Sequence, residues 1–227
     1  SASYPFNNLL RDSNSITLDS SNNRALVLHP GLDAVIAVDL TDGTRSVLSD
    51  DTHPNTANPF SRPKGITLDS ANNRALVVDS DLDAVIAVNL TTGDRTILSD
   101  NTPPNAQNSF DSPQSIALDP DNNRALVVDS GLDVVIAVDL TSGRRTILSD
   151  YNASIMDNPF QSLVGSTLDK ANNRVLVVDN QRNAVIAIDI TTGVRTILSD
   201  NTNPNTQNPF DNPQSITIDS TTNRALV

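Results

Sequence analysis

No cysteine, tryptophan or glutamate occurs in the 227 residues, and there are only two histidines, one methionine and two lysines. Without Cys the chain holds no thiolate zinc site, disulfide framework or cysteine nucleophile. Without Glu it holds no two-Glu glycosidase dyad. All 27 acidic residues are Asp, against 15 Lys and Arg, so the formal net charge is -12. Phosphate binding needs clustered Lys and Arg, so no nucleic-acid partner is expected, and an anionic membrane surface is disfavoured in the same way. No apolar run approaches the ~20 residues that span a bilayer, and no charged-then-apolar leader is present. The chain is therefore expected to be soluble, with no membrane insertion. It starts at Ser1 rather than Met, and is expected to be a processed or excised piece.

What is there is repetition, at a period of fifty residues without insertion or deletion. The phrase Asp69-Ser-Ala-Asn-Asn-Arg-Ala-Leu-Val-Val-Asp79 recurs with small changes at 19–29, 119–129 and 169–179, and a fifth copy runs from 219 to 227. The next phrase, Ala84-Val-Ile-Ala-Val-Asn-Leu-Thr-Thr-Gly93, recurs from Ala34, Val134 and Ala184 and brings Gly43, Gly143 and Gly193 into register. An Arg-Thr-Ile-Leu-Ser-Asp phrase follows at Arg95, Arg145 and Arg195, as Arg-Ser-Val-Leu-Ser-Asp at Arg45. A fixed period of this length outranks local signals and marks a repeat architecture.

Each unit reads as four short strands, a to d, which in the second unit are 65–68, 74–78, 84–90 and 95–98. They are rich in Val, Ile, Leu and Thr and bounded by Asn, Asp, Ser and Gly, the composition of strands and turns. Asn72-Asn73 suits a tight a–b turn, because Asn tolerates left-handed backbone. Gly93 stands where a short c–d hairpin needs positive φ. Strand c is apolar on both parities, Val85 and Ala87 on one side and Ala84, Ile86 and Val88 on the other. Such a strand is covered on both faces, so each antiparallel sheet is expected to pack between copies of itself. That is a β-propeller of four-stranded blades rather than a sandwich with one wet face.

The segment Pro113-Gln-Ser-Ile-Ala-Leu-Asp119, followed by Asn123-Arg-Ala-Leu-Val-Val-Asp129, resembles the Pro-x-Gly-Ile-Ala-Val-Asp and Val-Ala-Asp phrases of NHL-type propeller repeats, relatives of the SMP-30/gluconolactonase-like propellers. The likeness runs along nearly the whole chain. It implies the propeller fold and leaves activity open, because that superfamily mixes enzymes with binding modules. Kelch and WD40 repeats fit less well, since their Gly-Gly and Trp-Asp marks are absent.

Strands a to d are complete four times, in units 15–64, 65–114, 115–164 and 165–214, and 215–227 supplies a and b alone. The expectation is one propeller domain or fragment with four blades and a half, an incomplete ring. Open blade faces and strand edges favour self-association, or a second chain that completes the ring.

Antiparallel order puts the b–c and d–a connections on one face and the a–b and c–d turns on the other. The d–a connections are fourteen residues long, at 51–64, 101–114, 151–164 and 201–214, with a Phe at 60, 110, 160 and 210. Each Phe reads as a plug between blades, or as an aromatic platform for a sugar or peptide. The same face gathers His29, Asp33, His53, Asp79, Asp83, Asp129, Asp133, Asp179 and Asn183, which together form the candidate ligand-binding face. Its oxygens are of the kind calcium takes, although the spacing matches no EF-hand or nonapeptide loop. The alternative is that Asp79 and its equivalents cap turns, or pair with the Arg74 and Arg95 columns. At the start of strand a, Asn14, Lys64, Gln114 and Gln214 form a polar rim that Val164 interrupts.

These readings favour a non-catalytic binding or scaffold module, secreted or at the cell surface, that presents an acidic loop face to a protein, a glycan or a calcium ion. The competing reading is a metal-dependent lactone or ester hydrolase of SMP-30-like type, with His29 or His53 as base. Those lactonases carry a Glu among their metal ligands, so no catalytic residue is transferred here. A mainly architectural repeat whose faces contact sister chains is a third reading.

Overall fold

The computed structural model describes residues 13–52, 55–150, 159–202 and 204–227. Among them are eighteen strands and short 3-10 turns, and no α-helix. The first blade is β1 (Ser15–Asp19), β2 (Arg24–His29), β3 (Ala34–Asp39) and β4 (Arg45–Ser49). The second is β5 (Pro63–Asp69), β6 (Arg74–Asp79), β7 (Ala84–Asn89) and β8 (Arg95–Ser99). The third is β9 (Pro113–Asp119), β10 (Arg124–Asp129), β11 (Val134–Asp139) and β12 (Arg145–Ser149). The fourth is β13 (Leu163–Asp169), β14 (Arg174–Asp179), β15 (Ala184–Asp189) and β16 (Arg195–Ser199). A half blade follows, β17 (Thr217–Asp219) with β18 (Arg224–Leu226). Within each sheet the strands lie in chain order, the simple up-and-down meander of a propeller blade. The chain divides into two compact units, Ser1–Leu98 and Ser99–Val227.

The turns form for reasons written in the residues. After β5 a 3-10 turn over Ser70–Asn72 ends on Asn73 at φ 52°, whose N–H donates to the Ser70 carbonyl. The Asn72 amide donates to both oxygens of Asp69 at 3.0 and 2.9 Å, and the Arg74 Nε donates to the same carboxylate at 2.7 Å. One aspartate thus anchors both sides of the hairpin, and the arrangement recurs around Asp19, Asp119 and Asp169. Strand a begins at Pro63, two residues before the expected start, because a bulge between Pro63 and Gly65 keeps Pro63 opposite Asp79. Proline has no N–H to give to the ladder, and a bulge is where a sheet accommodates it.

Both faces of strand c are buried, as the double apolar parity requires: Val85 and Ile86 are each 0% exposed. In the first unit Leu26, Leu28, Val35 and Ala37 of blade one meet Ile66, Ala75, Val77, Ile86, Val88 and Leu90 of blade two, with Phe60 in the same cluster. In the second unit the pattern repeats between blades three and four around Phe160. At roughly 1.5–3 kcal/mol per fully buried aliphatic side chain, this face-to-face packing is the main source of stability. The outer side of blade one is open only in part: Ile16 and Leu40 are 66% and 49% exposed, where Ile66 and Leu90 are 6% and 5%, while Val27, Ala34 and Ile36 on that side are buried.

Glycine at the c–d corner serves two needs at once. Gly93 sits at φ +76°, and a Cβ there would stand 1.9 Å from the Leu48 carbonyl oxygen of blade one. Gly43 has the same backbone, φ +75°, with nothing within 4 Å of such a Cβ. Gly43→Ala should therefore cost about 1–2 kcal/mol, the left-handed penalty alone. Gly93→Ala should cost about 3 kcal/mol or more, because blade one must also move. Urea denaturation of the two variants measures the difference.

Candidate functional site

Where they are described, the long connections are straps rather than free loops. In the first unit the strap begins where Ser49 Oγ donates to the Gly93 carbonyl at 2.7 Å, at the c–d corner of the next blade. Asn55, 5% exposed, donates to Ser49 Oγ, the Asp50 carbonyl and the Gly93 carbonyl, while its Oδ1 accepts the Arg95 N–H at 2.9 Å. Further along, the Asn58 amide donates to the Arg95 carbonyl at 3.1 Å. The strap ends with the Ser61 and Arg62 N–H groups donating to the Asp79 carboxylate. The sequence reading placed the c–d turn on the face opposite the long connections. The strap nonetheless starts at the c–d corner and finishes at the b–c turn, because strand twist swings the outer strand away from the direction of the inner one.

Arg95 locks this strap. Its side chain donates from Nε to Ser49 Oγ at 2.9 Å, from Nη1 to the Asp51 carboxylate, and from Nη2 to the Asp33 carbonyl at 2.8 Å. The guanidinium carbon lies 3.5 Å from the centre of the Phe60 ring. Arg145 repeats this on Ser99, Asn101 and Phe110, and Arg195 repeats it on Ser149, the Asp150 carbonyl and Phe160. The three arginines are 3–4% exposed. Burial lowers the pKa of Arg95 against the opposing hydrogen bond and charge of Asp51, and lowers that of Arg195 to about 10. Of the two readings of the Phe column, the plug is the one the geometry shows for Phe60 and Phe160, each in the apolar cluster of its pair of blades, and Phe110 is likewise buried, at 2% exposure.

Eight of the nine candidate residues separate into two columns. In the first, Asp79, Asp129 and Asp179 end strand b, are each 0% exposed, and accept backbone N–H groups from the strap and from their own b–c turn. For Asp79 the donors are Ser61, Arg62, Asp81 and Leu82. For Asp129 they are Asp111, Gly131 and Leu132, and for Asp179 Gln161, Ser162 and Arg182. The capping role is what these bonds show. The recurring arginines pair elsewhere, Arg74 with Asp69 and Arg95 with Asp51. Burial raises the Asp129 pKa despite its three N–H donors. His29 takes the equivalent place in blade one, 4% exposed, with no partner for Nδ1 among the described residues.

The second column is Asp33, Asp83, Asp133 and Asn183, all left-handed at φ 48–53° where the b–c turn closes. Asn183 Oδ1 accepts the Asn212 N–H at 2.8 Å. Asp33 and Asp133 each bury one carboxylate oxygen that has no hydrogen-bond partner among the described residues. Burial raises the Asp33 pKa, helped by the charges of Asp51 and Asp79 and opposed by Arg95. Burial likewise raises that of Asp133, helped by Asp179 and opposed by Arg195. His53 lies outside the described residues. Among the described residues no three His, Cys, Asp or Glu side chains stand where they could share a metal ion. At the rim, Gln114 and Gln214 donate to the nearby carbonyls of Ser112 and Asn212, and burial lowers the Lys64 pKa. Sequence reasoning missed Ser49, Asn55 and their equivalents, although their fifty-residue recurrence was visible. A shallow hollow in blade three, lined by Asn122, Arg124, Asp139, Ser142, Arg144 and Thr146, was missed too; its Arg144 stands where the other units have Thr44, Asp94 and Val194.

No protein-family model and no curated protein matches the chain by sequence. Solved structures do match by shape. A chain of the nidogen/laminin complex aligns at TM-score 0.72 and 17% identity, over 92% of this chain and 69% of its own. A catalytically inactive variant of virginiamycin B lyase from Staphylococcus aureus, solved with quinupristin, aligns at 0.65 and 17%, over 94% of this chain and 61% of its own. A protein of unknown function from Bacteroides thetaiotaomicron aligns at 0.60 and 12%, over 83% of this chain and 43% of its own. Against the second and third, the chain spans less than two thirds of the neighbour's length. The fold is a β-propeller.

Two expectations follow. Arg145→Ala should destabilise the chain by about 3 kcal/mol, since it strips a buried hydrogen-bonded charge from its partners. Arg45→Ala, the same position in blade one but exposed, should change stability by no more than about 0.5 kcal/mol; chemical denaturation reads both. A raised Asp pKa means that the folded state binds the proton more tightly than the unfolded one, so Asp133 opposes folding above its folded pKa, and the penalty fades as pH falls through the ordinary carboxylate value. Asp133→Asn should therefore raise the melting temperature at pH 7 and lose that advantage by pH 3.

Proposed function

We propose that the chain is a non-catalytic binding or scaffold propeller of a secreted or cell-surface protein, of NHL or SMP-30-like kind, whose acidic surface receives a protein partner. The observation that supports this reading is the near-identical use of the chemistry-bearing residues in blades two, three and four. Asp79, Asp129 and Asp179 are occupied by backbone N–H groups, and Arg95, Arg145 and Arg195 by the straps. A catalytic centre needs an asymmetric set of groups with one of them reachable, and His29 is buried. What remains at the surface is polar and acidic, with a net charge of -12. Such a field steers a basic protein surface toward the chain more strongly than it favours a glycan. Calcium has less support, because Asp79, Asp129 and Asp179 already accept backbone hydrogen bonds, and among the described residues no three His, Cys, Asp or Glu side chains stand where they could share an ion.

The structural neighbours carry both kinds of role, a chain within a protein complex and a lyase, and at 17% identity they share the fold alone. The reading predicts no turnover of a lactone and ester panel with calcium, and thermal melts that coincide in calcium and in chelator. A calcium-dependent upward shift would instead mark a site that binds the folded form only. Lactone hydrolysis abolished by chelation and by His29→Ala would replace this reading with the hydrolase. Binding to an immobilised basic protein should weaken steeply between low and physiological salt, as charge complementarity requires.

A further inference from the structure

The hollow on blade three holds about 360 Å³ and is lined by that blade alone. Arg124 stands opposite Asp139 in the ladder, and Ala137 opposite Thr146, so these side chains share one side of the sheet. It is the side toward blade four, since Arg124 Nη2 reaches the Ile190 carbonyl at 2.6 Å. Arg124 Nε is held by Asp119 at 2.7 Å, which leaves Nη1 without a partner among the described residues. Arg144 is exposed and forms no ion pair among the described residues, although the chain carries 27 Asp against 15 Lys and Arg. Asp139 brings the opposite charge. Its Oδ1 accepts the Thr141 N–H, the Ser142 N–H and the Ser142 hydroxyl at 3.1, 2.7 and 2.7 Å, and its Oδ2 has no partner among the described residues. The Ser142 hydroxyl and the turn N–H groups hold this carboxyl below the ordinary carboxylate range, so it is ionised at neutral pH. No other complete blade joins these charges: the place of Arg144 is taken by Thr44, Asp94 and Val194, and that of Asp139 by Asp39, Asn89 and Asp189.

We propose that this hollow binds a free α-amino acid, its carboxylate between Arg124 Nη1 and the Arg144 guanidinium and its ammonium on Asp139 Oδ2. A guanidinium matches a carboxylate in shape and charge. An ionised carboxylate with an unused oxygen is the acceptor that an ammonium requires. Phosphate and other pure anions fit less well, because Asp139 repels them at close range and the net charge of -12 repels them from further away. A pure cation meets two arginines. A zwitterion satisfies both signs and brings no net charge into the field. The volume lies at the lower end of small-molecule sites, as a ligand of few heavy atoms requires. Ala137 and the arginine methylenes offer its side chain an apolar contact. The straps contribute no residue to this site, so it stands apart from the protein-binding reading above.

The test is an NMR titration of the isotope-labelled full chain, read at the backbone N–H groups of Ser142 and Arg144. The probes are L-leucine and L-threonine, with the N-acetyl derivative of each, which lacks the ammonium, and the amide of each, which lacks the carboxylate. The expected result is saturable binding of at least one amino acid, with both of its derivatives about ten-fold weaker, the size of effect of losing one charge-assisted hydrogen bond. Two variants borrow residues that the repeat itself places at these positions, so the melting temperature should stay close to that of the parent. Arg144→Val takes the residue of blade four. Asp139→Asn takes that of blade two, where Asn89 Oδ1 accepts the same pair of turn N–H groups at 2.8 and 2.9 Å. Arg144→Val should weaken the amino acid by about ten-fold, whereas Asp139→Asn should weaken the amino acid and spare its N-acetyl derivative. Absence of saturable binding by both amino acids overturns the proposal. Equal binding of an amino acid and its N-acetyl derivative also overturns it, and makes the hollow a general anion site. Binding that Arg144→Val leaves unchanged overturns it as well, and places the ligand elsewhere.

Discussion

A buried guanidinium, held on one side by a phenylalanine ring and on the others by oxygens from a strap, is the contact on which the propeller depends. Arg95, Arg145 and Arg195 each join the start of strand d to a segment about forty to sixty residues earlier. A charge this deep is tolerated only where every donor finds an acceptor and the attraction outweighs desolvation. The strap provides most of those acceptors, and the arginine in turn gives the described residues of an otherwise irregular connection a reason to adopt one path. Hydrophobic packing between blades supplies the larger share of the free energy. It is non-directional, and the hydrogen-bonded arginine sets where one blade meets the next.

The same economy explains why an acidic chain without glutamate has so little acid left for chemistry. Asp has the shorter side chain and suits turns, where it bonds N–H groups two or three residues ahead. Asp69 and its equivalents hold the a–b hairpin, and Asp79 and its equivalents close the b–c turn over the end of the strap. Asp50, Asp100 and Asp200 each bond the threonine two residues on. A reader who counts carboxylates on one face sees a cation site, whereas the hydrogen bonds show a set of turn anchors that leave net negative charge at the surface.

The strands, their order and the doubly covered strand c were legible because each rests on local pattern: a period of two, β-branched residues, and Asn or Gly at left-handed turns. Strands b, c and d of the second blade end within one residue of the expected bounds, and strand a starts two residues earlier, past a bulge that accommodates Pro63. The plug role of Phe60 was one of two open readings until its ring was placed against Arg95. The strap network was not legible. Ser49, Asn55 and Asp51 look like ordinary loop residues, and nothing local says that all three serve one arginine more than forty positions away.

The sequence by itself determined the repeat, the four-stranded blades, the turn chemistry and the exclusion of thiol chemistry, because these follow from residue type and spacing along the chain. Only the tertiary structure decided which carboxylates are consumed as backbone acceptors and which arginines are buried. Those outcomes depend on burial and on partners dozens of residues away, such as Arg95 meeting the carbonyl of Asp33 across 62 positions. Near-identical phrases acquire different environments in different blades: Arg45 and Arg95 share a motif, yet one faces solvent and the other locks a strap.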